Sequence, residues 1–311
     1  MAFLILLAGL ALLLIGGEVL VKGAVAIAIR YHIPTMVIGL TIVSFGTSAP
    51  ELLVSLQAAL DGHPDIAIGN VIGSNMANIA LVLGLTALIL PIPVARNTIR
   101  IDQVVMIMAT LLLWACMWNG MLSGTEGLIL FLGLIAYLLF LMRNARKERR
   151  AALADQIKTS ETLSLWSSIA LIVGGCIGLV FGSDLLVQGA TEIARDFGVS
   201  EYVIGATVVA FGTSVPELAT SIIAAFRKEL DISVGNLVGS NIFNILCILG
   251  ITSMVKPIPV NQQVLDNDIF WVLGITLAVF AFSIHTQKIQ RWKGAILVFS
   301  YLVYVVLMIK G

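Results

Sequence analysis

The chain has 311 residues; 59% are apolar, only 12% are charged, and the mean hydropathy is +1.03. The charged share is about half that of an ordinary soluble domain, which excludes a disordered chain, a nucleic-acid binder and a typical soluble enzyme. Lys plus Arg and Asp plus Glu number 18 each, so net charge says nothing about partners, and the placement of the charges says more.

A membrane-spanning helix needs about 20 mostly apolar residues. Ten such stretches follow one another, at 3–29, 36–60, 66–90, 103–120, 124–142, 165–194, 202–226, 232–255, 268–285 and 292–309. The first has no basic segment before it and is too long for the apolar core of a cleavable signal. The connections are short and leave no room for a soluble domain. Cys116, Cys176 and Cys247 lie in apolar runs without CxxC spacing, so they read as small hydrophobes rather than a disulfide framework. The predicted fold class is an all-α polytopic membrane protein with ten transmembrane helices, whose evident partner is the lipid bilayer.

The longest polar stretch, 143–164, carries Arg143, Arg146, Lys147, Arg149, Arg150 and Lys158. Basic loops stay in the cytoplasm. Alternation from there puts Arg30, Arg96, Arg100, Arg227, Lys228, Lys288, Arg291 and Lys293 on the same side. Only Arg195, Lys256 and Lys310 fall on the other. Both termini are therefore expected outside the cell membrane.

The two halves match each other. VIGLTIVSFGTSAPELLVS at 37–55 aligns without gaps to VIGATVVAFGTSVPELATS at 203–221, IGNVIGSNMANI at 68–79 to VGNLVGSNIFNI at 234–245, and PIPV at 91–94 to PIPV at 257–260. The offset is 166 throughout, as from Glu51 to Glu217 and from Asn78 to Asn244. The chain thus divides into a first five-helix repeat at 1–142 (motif 37–94), a basic cytoplasmic linker at 143–164, and a second five-helix repeat at 165–311 (motif 203–260). Five spans per copy make the second copy enter from the opposite side. Inverted-topology repeats of this kind build secondary transporters, with the binding site near the bilayer midplane.

Glu51 and Glu217 lie deep in the second span of their repeats, where a carboxylate costs at least ~2.5 kcal/mol. No Lys or Arg lies at similar depth in those spans, so a bound cation is the natural partner. Pro50 and Pro216 each remove the helical donor for a carbonyl four residues back, that of Gly46 or Gly212. With the neighbouring Gly and Ser this predicts a broken helix presenting carbonyls beside a carboxylate, which is tolerated at depth where it faces a cavity or an ion. Thr47, Ser48, Thr213 and Ser214 add hydroxyl and carbonyl oxygens. In the third span, Ser74 and Asn78 share a helix face, as do Ser240 and Asn244, while Asn75 and Asn241 point elsewhere. Gly69/Gly73 and Gly235/Gly239 fit a small-residue pattern for close helix contact. Glu18 and Asp184, in spans one and six, read as gating or entry residues or as simply paired, Glu18 with Lys22 one turn on.

The resulting set is all oxygen, without His or Cys. Ca²⁺ and Na⁺ suit it; Zn²⁺ and Cu want nitrogen or sulfur. Two carboxylates balance one Ca²⁺, and Na⁺ competing for the same ligands would give exchange.

GTSAPE with GSNMAN, repeated as GTSVPE with GSNIFN, resembles the two alpha-repeats of the calcium/cation antiporter superfamily, most closely the prokaryotic sodium/calcium exchangers. The resemblance spans nearly the whole chain. It implies that Glu51 and Glu217 are shared Ca²⁺ and Na⁺ ligands, and that Thr47 and Thr213 contribute backbone carbonyls. It further implies that Ser48, Ser74, Asn78, Ser214, Ser240 and Asn244, with the carbonyls of Ser44 and Ala210, complete flanking Na⁺ sites. Exchange in the family is commonly three Na⁺ for one Ca²⁺, with no cofactor and no enzymatic step, and spans one and six slide across the other eight. Potassium-dependent relatives carry Asp where this chain has Asn244, which argues against K⁺ co-transport. The same scaffold coupled to H⁺ is a second reading, and a cation channel a third. An intramembrane hydrolase using Ser48 or Ser214 lacks a His or Lys to act as base.

Overall fold

The structure, a computed structural model, describes residues 1–154, 163–198 and 210–310. In chain order the main helices are α1 (Ala2–Tyr31), α2 (Thr35–Leu60), α3 (Pro64–Ile89), α4 (Thr98–Cys116), α5 (Gly124–Ala154), α6 (Leu165–Asp196), α7 (Val215–Phe226), α8 (Leu230–Val255), α9 (Val264–Thr286) and α10 (Arg291–Lys310). Among the described residues nine of these are long and apolar enough to cross a membrane, and α7 is shorter. The span expected at 202–226 falls in part on 202–209, which lies outside the described residues, as do motif positions 203–209 and Lys158.

The sequence sets α4 at 103–120, but the helix starts at Thr98 and ends at Cys116. Thr98–Asp102 forms a widened, π-helical turn that hydropathy passes over because it holds Arg100 and Asp102. At the other end Gly120 has φ 79°, a left-handed conformation that turns the chain away. Similar wide turns occur at Gly39–Val43, Ala77–Val82, Asn244–Leu249 and Val264–Asp268. Such turns have no residue signature, but they recur near functional sites. Among the described residues, Ala77–Val82 and Asn244–Leu249, and Thr98–Asp102 and Val264–Asp268, fall at nearly equivalent places in the two repeats.

The chain forms two compact units, residues 1–47 with 136–236, and residues 48–135 with 237–311. Each unit therefore draws on both sequence repeats. In the first unit α1 lies antiparallel against α6. A Cβ on Gly16 would come within 2.8 Å of the Leu179 nitrogen, and one on Gly182 within 2.8 Å of the Leu13 nitrogen. Backbones that close leave room only for glycine. Leu13, Leu20, Val21, Ala24, Leu179 and Ile223 make up the buried apolar core here. On the same unit Glu18 pairs with Arg227, whose Nε donates to Glu18 Oε2 at 2.6 Å. The expected partner was Lys22. A one-turn neighbour on a helix loses here to a guanidinium that reaches the carboxylate with two nitrogens.

In the second unit the two PIPV segments end as short antiparallel ladders. Ile92–Pro93 pairs with Lys288–Ile289, and Met121–Leu122 pairs with Ile258–Pro259. The repeated tetrapeptide thus ties each third span to a loop of the other repeat. The end of α3 packs on α10 where a Cβ on Gly294 would meet the Gly84 carbonyl at 2.6 Å.

Candidate ion-binding site

The motif around Pro50 behaves differently from that around Pro216. In the second repeat Ala210–Gly212 is helical, the chain leaves the helix at Thr213 and Ser214, and α7 restarts with Pro216 in its first turn. This is the break that the sequence predicts, with proline at the position helices accept best. In the first repeat α2 stays helical through Pro50, contrary to expectation. An interior proline forfeits one hydrogen bond without obliging a break, and neighbouring helices re-satisfy such positions in membranes. Ala49, a strong helix former, precedes Pro50, where β-branched Val215 precedes Pro216.

The carbonyl that Pro216 leaves without its helical donor is taken up. Ser183 on α6 donates its hydroxyl to the Gly212 oxygen at 2.5 Å. Position 17, the counterpart of 183 in the first repeat, is glycine and has no hydroxyl to offer.

Within the first unit, α2 and α8 approach through Gly39 and Gly235, where a Cβ on Gly235 would lie 2.8 Å from the Met36 oxygen. That contact confirms close packing for Gly235. Among the described residues no atom lies within 4 Å of a Cβ built on Gly69 or Gly73. The Gly39–Gly235 approach lets Ser44 Oγ donate to the carbonyls of Gly39 at 2.7 Å and Asn236 at 3.0 Å. Thr47 Oγ1 donates to Asn236 Oδ1 at 3.0 Å, and Asn236 Nδ2 donates to Ser221 Oγ at 3.2 Å. Ser44, Thr47, Ser214 and Glu217 are all buried, Glu217 completely. Ser214 Oγ has no hydrogen-bond partner among the described residues. Thr213 is half-buried, and Ala210 lies in the helical segment Ala210–Gly212.

The second unit holds Ser48, Glu51, Ser74, Asn78, Ser240 and Asn244, all buried, with Glu51, Asn78, Ser240 and Asn244 at 0% exposure. Asn70 Nδ2 donates to the Glu51 carbonyl at 3.2 Å and to Ser55 Oγ at 2.9 Å. Asn244 Nδ2 donates to Asn75 Oδ1 at 3.0 Å. Its Oδ1, and both amide atoms of Asn78, have no hydrogen-bond partner among the described residues. Leaving a buried amide group unsatisfied costs about 1–3 kcal/mol, and the free Oδ1 atoms are hard donors of the type that Na⁺ and Ca²⁺ accept. Sequence reasoning left Asn75 aside as pointing away from the Asn78 face, and passed over Asn70 and Asn236. All three reach across to a second helix, which spacing along one helix cannot show.

The family described as sodium/calcium exchanger protein matches residues 1–143 and 167–310. The chain belongs to that family. It is 39% identical over 312 residues to CaxA of Alkalimonas amylolytica, covering 97% of each chain. It is 32% identical over 342 residues to the sodium/calcium exchanger MaX1 of Methanosarcina acetivorans, covering 98% of each. Solved structures of the sodium-calcium exchanger NCX_Mj match with a TM-score of 0.83 at 33% identity, covering 98% of this chain and 97% of that one. This exchanger is accordingly a membrane transporter of cations with the ten-helix, two-repeat fold, and its relatives are ion exchangers rather than enzymes.

Proposed function

We propose that the protein exchanges Na⁺ for Ca²⁺ by alternating access, with about three Na⁺ moving per Ca²⁺. That ratio carries one net charge, worth ~2.3 kcal/mol per 100 mV of membrane potential. The observation that carries the reading is the complete burial of Glu51 and Glu217, one in each copy of the duplicated GTSxPE motif. Two carboxylates neutralise one Ca²⁺. Around them the assigned ligands are neutral oxygens: carbonyls of Ser44, Thr47, Ala210 and Thr213, hydroxyls of Ser48, Ser74, Ser214 and Ser240, and the amides of Asn78 and Asn244. A neutral shell of this kind also suits Na⁺, so each ion displaces the other from shared carboxylates. Asn244 spends its amide nitrogen on Asn75, a role that Asp could not fill, which supports exchange without K⁺. The basic stretch 143–164 is assigned to the cytoplasm and both termini to the outside, on the positive-inside bias.

The test is ⁴⁵Ca²⁺ uptake into proteoliposomes loaded with Na⁺, choline, K⁺ or an acid buffer. Uptake driven by outward Na⁺ alone supports the reading. Uptake driven by the proton gradient alone replaces it with Ca²⁺/H⁺ exchange, and uptake without any counter-ion replaces it with a channel.

A further inference from the structure

Asn236 occupies an unusual position between the two ion motifs. It lies on α8, completely buried, yet both ends of its side chain leave that helix. The carbonyl end accepts from Thr47 Oγ1 at 3.0 Å, on the helix that carries Glu51. The amino end donates to Ser221 Oγ at 3.2 Å, on the helix that carries Glu217. Ser221 stands four residues after Glu217 and so shares its helix face. The backbone carbonyl of Asn236 takes a further bond from Ser44 Oγ at 3.0 Å. One residue outside the two GTSxPE segments therefore touches the helices that carry both of them.

The arrangement is built twice. Asn70, 166 positions earlier, donates to Ser55 Oγ at 2.9 Å, and Ser55 stands four residues after Glu51. The Asn-to-Ser separation is 15 residues in each copy. Asn70 also donates to the backbone oxygen of Glu51 at 3.2 Å. Asn236, Ser221 and Ser55 are buried and Asn70 is half-buried, and a hydrogen-bonded pair of polar side chains placed so in both repeats is costly unless its geometry is used.

We propose that Asn236 and Asn70 are positioning residues of the exchange site. Asn236 fixes the Thr47 hydroxyl, so that this hydroxyl is engaged and the Thr47 carbonyl keeps its orientation. At the same time it sets the rotation of the Glu217 helix through Ser221. Asn70 holds the Glu51 helix in the same way through Ser55. An asparagine suits the role because it offers one acceptor and two donors on a rigid plane. Neither residue ligates an ion; each acts through ligands beside it. The inference rests on the assignment of Thr47, Glu51 and Glu217 as ion ligands.

The test measures half-saturating Ca²⁺ and half-saturating Na⁺ in proteoliposomes for wild type, Asn236→Ala, Thr47→Val and the double variant. Thr47→Val keeps shape and carbonyl and removes only the hydroxyl. Asn236→Ala is expected to raise both constants about tenfold, Thr47→Val less, and the double variant no more than Asn236→Ala alone. Constants within twofold of wild type in Asn236→Ala, or a double variant showing the product of the single effects, overturn the inference. If Asn236→Ala does not give folded protein, Ser221→Ala removes one of its bonds at lower risk. A several-fold rise in the constants then supports the role, and unchanged constants overturn it. Wild type that shows no Na⁺-driven Ca²⁺ uptake overturns the exchange reading itself, whereas intact wild-type exchange with unaltered variants overturns only the positioning role.

Discussion

Asn244 Nδ2 donates to Asn75 Oδ1 at 3.0 Å, joining the third span of one repeat to the third span of the other. The bond fixes the amide of Asn244, so among the described residues its Oδ1 is the end left without a hydrogen-bond partner. Asn75→Leu removes the acceptor and lets that amide rotate. A buried donor left unsatisfied costs about 1–3 kcal/mol, so half-saturating Na⁺ should rise by about tenfold while the variant still folds. Flux measured against Na⁺ concentration checks this; an unchanged curve separates Asn75 from the site.

Ser183 supplies the donor that Pro216 denies to Gly212. Ser183→Ala leaves that carbonyl without its bond. The expected result is a melting temperature lower by about 2–4 °C for each kcal/mol lost. Gly17→Ser, at the counterpart position, is not expected to compensate, because the Gly17 Cβ would meet Ile223 Cδ1 at 2.6 Å. Thermal unfolding of the purified protein in detergent reads both.

Glycines with different surroundings should respond differently to the same change. Gly16→Ala places a methyl 2.8 Å from the backbone of α6, and overpacking of this kind costs about 1–3 kcal/mol. Gly69→Ala meets no atom of the described residues within 4 Å, and alanine is the better helix former by about 0.5–1 kcal/mol. Thermal stability should fall in the first variant and hold or rise in the second.

Much of this architecture is legible in the residues, and for identifiable reasons. The spans follow from apolar run length, and the duplication from a constant offset that needs no structure. The buried acids Glu51 and Glu217 stand out because charge is rare at that depth. What stays hidden is whatever depends on a second helix. Glu18 has a plausible partner one turn on, but it bonds to Arg227, far along the chain. Asn236 looks like an ordinary polar residue of a GN pair until Thr47 and Ser221 are seen on either side of it. The contrast between Pro50, inside a continuous helix, and Pro216, at a helix start, is invisible to a motif that is nearly identical in both copies.

The assignment of the basic stretch to the cytoplasm has a direct check. Arg146→Cys, in a background without Cys116, Cys176 and Cys247, should react with an impermeant maleimide only from the cytoplasmic side. Labelling from outside intact cells would invert the topology.

The central claim is that Na⁺ and Ca²⁺ compete for Glu51 and Glu217. The most direct measurement is ⁴⁵Ca²⁺ uptake into Na⁺-loaded proteoliposomes by wild type, Glu51→Gln and Glu217→Gln at matched protein content. The account predicts rapid Na⁺-dependent uptake by wild type and loss of uptake, to the level of empty vesicles, in each variant. Na⁺-driven uptake that survives in both variants would contradict it.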